Sequence, residues 1–228
     1  HRYSHNLSRP RHPISSPIHG EFQNKHTFIK EIFMVRKIAI AKQCPGGVLF
    51  VAPAGTPLPT NATDKLDDAF KNVADLNEDG ITNGTDMDTT DVDNMSGQQA
   101  ASFITSYAET VQFTMLETTA TVLRTRYGNN RVTANGEDVI SYTTGMPKAE
   151  HISIVADLLL EGMNKKQRKV FPDAILTDSD DVQYHAGDAI TYSVTFSTFP
   201  DKQGNNSYNY FADLGASQPV SGASSSQV

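Results

Sequence analysis

From Asn72 to Leu123 the chain contains no Lys and no Arg, but it carries Asp75, Glu78, Asp79, Asp86, Asp88, Asp91, Asp93, Glu109 and Glu117. A segment of one charge sign and this length repels itself. It must be solvated, hold a metal, or be used to set up a negative field. Its second half supplies the structural constraint. Between Ala101 and Leu116 the residues alternate, with Val111, Phe113 and Met115 on one face and Thr110, Gln112 and Thr114 on the other, which predicts a strand with one buried side. The acidic run before it, from Thr85 to Gly97, has no apolar period and reads as a loop.

The whole chain fits a folded β-rich protein. It has 228 residues, 38% of them hydrophobic and 20% charged, with a net charge of −7. No apolar run is long enough for a membrane-spanning helix. An acidic balance argues against nucleic-acid binding as the main activity. The single Cys44 excludes an internal disulfide framework and a cysteine-rich zinc site. Trp is absent and turn residues are frequent.

Residues 1–33 differ from the rest. They hold five of the seven His, five basic residues (Arg2, Arg9, Arg11, Lys25 and Lys30) and only Glu21 and Glu31 as acids. They show no helical or strand period. Lys30-Glu31 can be encoded as a purine-rich ribosome-binding sequence, and two codons, Ile32 and Phe33, separate it from Met34. These residues are therefore expected to be a translated leader with the start at Met34, or else a disordered basic arm. Without them 14 basic residues face 24 acidic ones, a net charge of −10.

Further along, Val48–Ala52 reads as a buried strand, and Pro53, Gly55, Pro57 and Pro59 keep the next segment extended. Leu66, Ala69, Phe70 and Val73 share one side of an expected short helix from Asp64 to about Val73, capped by Thr63. A second helix is expected between Thr118 or Thr119 and Gly128. His151–Leu160, with Ile152, Ile154, Ala156, Leu158 and Leu160 on one face, forms a predicted hairpin with Lys165–Leu176. Ile190–Phe199 and Ser207–Phe211 are further strands. Residues 215–228 lack a core-forming pattern and are expected to be disordered. The expected fold is mainly β, a β-sandwich or barrel-like domain over 34–214 with one or two short flanking helices.

Several side-chain groups invite chemistry. Asp75, Asn77, Asp79, Gly80 and Asp86 occupy positions 1, 3, 5, 6 and 12 of a calcium loop. Against that reading, position 12 is Asp rather than Glu, Ile81 comes one place early, and no long helix follows. The alternative is a solvated turn between strands. His185 lies near Asp180, Asp181 and Asp188, and His151 stands apart, but no nucleophile motif or phosphate loop accompanies them, so both are expected to be surface histidines. Cys44 is expected to be a small core or surface residue. Lys165, Lys166, Arg168 and Lys169 form one basic cluster, whose natural counterpart is the acidic run Asp86, Asp88, Asp91 and Asp93, in the same subunit or on a neighbour.

The order PAGTPLPT, then DDAFKNVADLNEDGITNGTDMDTTDVDNMSGQQ, then ETVQFTMLETTATVLRTRYG, with YSVTFSTFPDKQGNNSYNYF later, resembles the major tail tube proteins of bacteriophages with long non-contractile tails. The resemblance covers nearly all of Pro53 to Asp213. It departs from the family at Met95, where a bulky aromatic is common after the acidic run. It implies a structural virion protein, not an enzyme, that needs no cofactor. Six copies would form a ring, and stacked rings would form a tube carrying DNA and the tape-measure protein. Tail-terminator or baseplate proteins would be further partners. No membrane would be involved, and assembly would take place in the host cytoplasm. On this reading the Gly84–Gly97 loop makes subunit or ring-to-ring contacts and Thr110, Gln112 and Thr114 face the lumen. Two other readings stay open: a secreted or surface β-sandwich binding module with calcium at residues 75–86, and a tube protein of a contractile injection system.

Overall fold

The computed structural model describes residues 37–73, 75–136, 139–146 and 148–215. The expected leader, the Met34 start and the tail beyond Gly215 lie outside the described residues. In chain order the strands are β1 (Ile40–Gln43), β2 (Leu49–Pro53), β3 (Lys71–Asn72), β4 (Leu76–Asp93) and β5 (Gln99–Met115). Helix α1 (Ala120–Tyr127) follows, and then β6 (Val132–Asn135), β7 (Val139–Tyr142), β8 (His151–Glu161), β9 (Lys165–Asp178), β10 (Tyr192–Phe199) and β11 (Tyr208–Asp213). The fold is mainly β, as expected, and every pairing is antiparallel.

Among the described residues nine strands form one sheet in the order β3-β2-β8-β9-β10-β5-β4, with β1 also on β8 and β11 also on β9; β6 and β7 form a separate hairpin. The large sheet curls on itself. The Val73 amide donates to the Leu49 carbonyl on β2, and two residues later the Asp75 carbonyl accepts from the Leu116 amide just beyond β5. Two residues of extended chain span only about 7 Å. The β2 and β5 regions, separated by three strands in the sheet order, are therefore drawn together there.

The curl encloses the main core. Leu49, Val111, Phe113, Met115, Ile154, Phe171, Val194 and Phe196 pack inside it, with Val122 and Leu123 of α1 in the same cluster. Phe113 and Phe196 lie with ring centroids 5.7 Å apart and planes 11° from parallel. Helix α1 sits where the sequence predicts: Thr119 caps it by accepting from the Val122 amide, and Gly128 ends it at φ +92°. A second cluster lies on the opposite face of the same strands. Ala52, Val155 and Val170 pack there against Phe70, Leu58, Leu66 and Tyr208. Burial on both faces explains why β8 reads as nearly continuous apolar sequence.

Two expected elements differ from the structure. Residues 64–73 form no helix; they pass through turns into β3. Local bonds satisfy this backbone instead: Asn61 Oδ1 accepts from the amides of Thr63 and Asp64, and Asp67 Oδ1 accepts from that of Ala69. Such side-chain-to-backbone bonds compete with helical ones. The second difference is larger. The acidic run is not a loop, because β4 continues through it to Asp93, paired with β5 along most of its length.

Candidate functional site

Strands β4 and β5 form a hairpin longer than the sheet that supports it. Strand β10 pairs with β5 only from Met115 back to Glu109. Beyond that point, among the described residues, β4 and β5 have only each other, with Asp86 opposite Ala108, Asp91 opposite Ser102 and Val92 opposite Ala101. From Thr85 to Asp93 this arm extends about 26 Å at strand rise. Both its faces are exposed, and Met87, Val92, Met95, Phe103, Ile104 and Tyr107 all project into solvent. At the tip, Asn94 Oδ1 accepts from the Ser96 and Gln98 amides, and Gly97 takes φ +72°.

A polar node holds the arm at its root. Glu109 follows the core-facing parity of Val111 and Phe113 and is only 4% exposed. Its carboxylate accepts from Asn83 Nδ2 at 2.9 Å and Ser207 Oγ at 3.0 Å, and Lys169 Nζ stands 3.8 Å away. Lys169 also donates to Asn83 Oδ1. Burial pushes the Lys169 ammonium below its ordinary range, and Glu109 opposes that shift. Thr198 Oγ1 donates to the Glu109 carbonyl.

The basic cluster therefore does not meet the acidic run within the subunit. Lys165 pairs with Asp213 at 2.6 Å, and Lys166 with Asp157 at 2.7 Å. Arg168, 3% exposed, makes a two-pronged contact with Asp157 at 2.6 and 2.8 Å. Its remaining nitrogen donates to the carbonyls of Asp64 (2.7 Å) and Asn61 (3.3 Å), tying the proline-rich segment to the sheet. Sequence carried a signal for both acids. Asp157 interrupts an apolar strand and Glu109 falls on a core-facing parity, and a buried carboxylate needs a partner.

The calcium-loop reading fails on geometry. Residues 77–80 bulge opposite Thr114, with Gly80 at φ +67°, and from Ile81 onward the chain is a strand. That strand carries Asp86 about 17 Å beyond Ile81, whereas a binding loop would have to curl back. Asn77 Nδ2 donates to Asp79, and Asp75 accepts from Gln43. The solvated-turn alternative is corrected too, since the segment is a bulge within one strand.

Thr110, Gln112 and Thr114 lie on the face of β5 opposite the core, as read from the alternation. Each stands beside a hydroxyl residue of β10: Thr110 by Ser197, Gln112 by Thr195, Thr114 by Ser193. The result is an uncharged polar surface. His185, Asp180, Asp181 and Asp188 do converge, around a polar cavity of about 350 Å³ shared with Asn77 and Thr114. His151 is partnered, with Nδ1 2.6 Å from Asp173. Cys44 is buried, and burial pushes its thiol pKa up.

A family model described as phage tail tube protein matches residues 43–220, which spans the hairpin arm, its root and the curled sheet. The chain belongs to the phage tail tube protein family. It is accordingly a structural, non-enzymatic protein and a component of the phage tail. No curated protein matches this tail tube protein. Among solved structures, it is similar to a chain of the sheath–tube complex of an extracellular contractile injection system in the extended state, at 10% identity and a TM-score of 0.38, covering 72% of this chain and 89% of that one. It is also similar to the tube-terminating cap of the anti-feeding prophage, at 9% identity and a TM-score of 0.38, covering 79% and 99%. Both scores are below the level at which a shared topology is argued.

Proposed function

We propose that copies of this tail tube protein close into hexameric rings that stack into the tube of a long non-contractile tail, with the β4–β5 arm making the contacts between copies. One observation carries the reading: a two-stranded arm that exposes five large apolar side chains on its strands and a sixth, Met95, at its tip. An isolated two-stranded ribbon is marginal in water, and apolar surface of this kind marks an interaction site. The open edges of the arm add unpaired backbone groups that a neighbouring strand satisfies.

In the assembled tube, Thr110, Gln112 and Thr114 with their β10 neighbours face the lumen. A hydroxyl-lined bore flanked by carboxylates offers phosphate no cation, so DNA passes without sticking. The tape-measure protein occupies the same bore during assembly in the host cytoplasm, and terminator and baseplate proteins close the ends. Asp86, Asp88, Asp91 and Asp93 contribute to the contacts between copies. Electron microscopy of the purified protein should show rings or tubes. Sedimentation as a strict monomer at high concentration would refute the proposal.

A further inference from the structure

The arm needs an acceptor, and the basic cluster of β9 is already neutralised within the subunit. A different group of cations is not. Between α1, β2 and the start of β8 lies a cavity of about 370 Å³. Its floor is apolar, formed by Val51, Pro53, Ile152, Leu176 and Phe196, and Lys71, Arg124, Arg126 and Lys148 also line it. Among the described residues neither Arg124 nor Lys148 forms an ion pair. Lys71 donates to the Asp68 carbonyl and lies in the field of that carboxylate, but among the described residues it forms no ion pair. Arg126 is 8% exposed and donates to the Ser193 and Asp180 carbonyls, and among the described residues its buried Nε has no hydrogen-bond partner. The one acid in the lining, Glu150, accepts from the Asn129 amide.

The tip of the arm is the complement of this cavity. It combines the fully exposed Met95 and the exposed Val92 with Asp91 and Asp93, and it has no cation of its own. We propose that the cavity beside α1 receives the arm tip of a second copy, with Met95 on the apolar floor and Asp91 and Asp93 against Lys71, Arg124 and Lys148. This inference rests on the self-assembly reading and names the surface that the arm meets. An acceptor with an apolar floor and cationic walls selects the acidic tip and rejects a basic one, which sets the register between copies.

Two full-length variants test it, Met95→Cys and Thr121→Cys, the latter in the lining of the cavity. Mixed and mildly oxidised, they should give a reducible dimer that neither gives alone. Wild-type protein, with Cys44 buried, serves as the control. In parallel, the Arg124→Glu/Lys148→Glu pair should raise the concentration needed for assembly at least tenfold. Asp91→Lys/Asp93→Lys in the mixed partner should restore it, and circular dichroism should confirm folding throughout. If wild-type protein forms tubes while the cysteine pair stays uncrosslinked and the charge reversal changes nothing, the acceptor assignment falls and the self-assembly reading stands. If wild-type protein forms no oligomer at all, both fall.

Discussion

Replacing Asp157 with Asn should destabilise the subunit more than any single surface change. Asp157 is 4% exposed and, among the described residues, is the sole carboxylate paired with both Arg168 and Lys166, with contacts of 2.6 to 2.8 Å. Asn keeps the shape and removes the charge, leaving the buried Arg168 guanidinium and the half-buried Lys166 without the carboxylate that balances them. Breaking a buried pair from one side costs about 3–5 kcal/mol. For a domain of this size each kcal/mol moves Tm by roughly 2–4 °C, so about 4 kcal/mol should lower Tm by roughly 8–16 °C. Urea denaturation with an unchanged m-value measures the same loss. A second readout is local: Arg168 also anchors the carbonyls of Asn61 and Asp64, so limited proteolysis should accelerate within the proline-rich segment before global unfolding. Combining Asp157→Leu with Arg168→Met should cost less than the sum of the two single changes, because the pair is removed together. A loss under about 1 kcal/mol for Asp157→Asn would refute the claim that this carboxylate balances the buried cations.

Two further predictions concern the backbone and the acid limb. Gly162 turns β8 into β9 at φ +89°, and a Cβ there would stand 2.6 Å from the Ile38 carbonyl oxygen, so Gly162→Ala should cost at least about 1–3 kcal/mol in thermal melts. Asp201 accepts from the Tyr208 hydroxyl and from the Asn205 and Gln203 amides, and these bonds hold its pKa below 3.8. Because the folded value is the lower one, this contribution is present above the unfolded pKa and disappears as pH falls through the folded value. NMR titration should place the Asp201 midpoint below 3.8, and Tyr208→Phe should move it upward.

Where a strand buries at least one face in its own subunit, its period was legible. Strands β5, β8 and β10 match the alternation of Val111/Phe113/Met115, Ile152/Ile154/Ala156 and Tyr192/Val194/Phe196. Strand β4 was not legible for the converse reason. Both its faces are exposed along the arm, so nothing in this chain imposes a period of two, and the residues read as loop. The expected helix at 64–73 mistook a shared apolar side for a helical one. Leu66, Ala69 and Phe70 pack on one face of the sheet while Val73 joins the core on the other. The basic cluster was visible as charge, but its partners lie elsewhere in the sequence: strand register sets Asp157 opposite Arg168, and Glu109 reaches Lys169 only through the tertiary fold. The cations beside α1 were missed because Lys71, Arg124 and Lys148 are scattered in sequence and converge only when the sheet curls.

The root of the arm has a mechanical consequence. Apolar packing is non-directional and would let a long ribbon swivel, whereas the hydrogen bonds to Glu109 from Asn83 and Ser207, and from Lys169 to Asn83, each fix a bearing. The projecting beam is bolted rather than tethered. Its aim is settled when the monomer folds, so little orientational freedom is left to lose at the moment of contact.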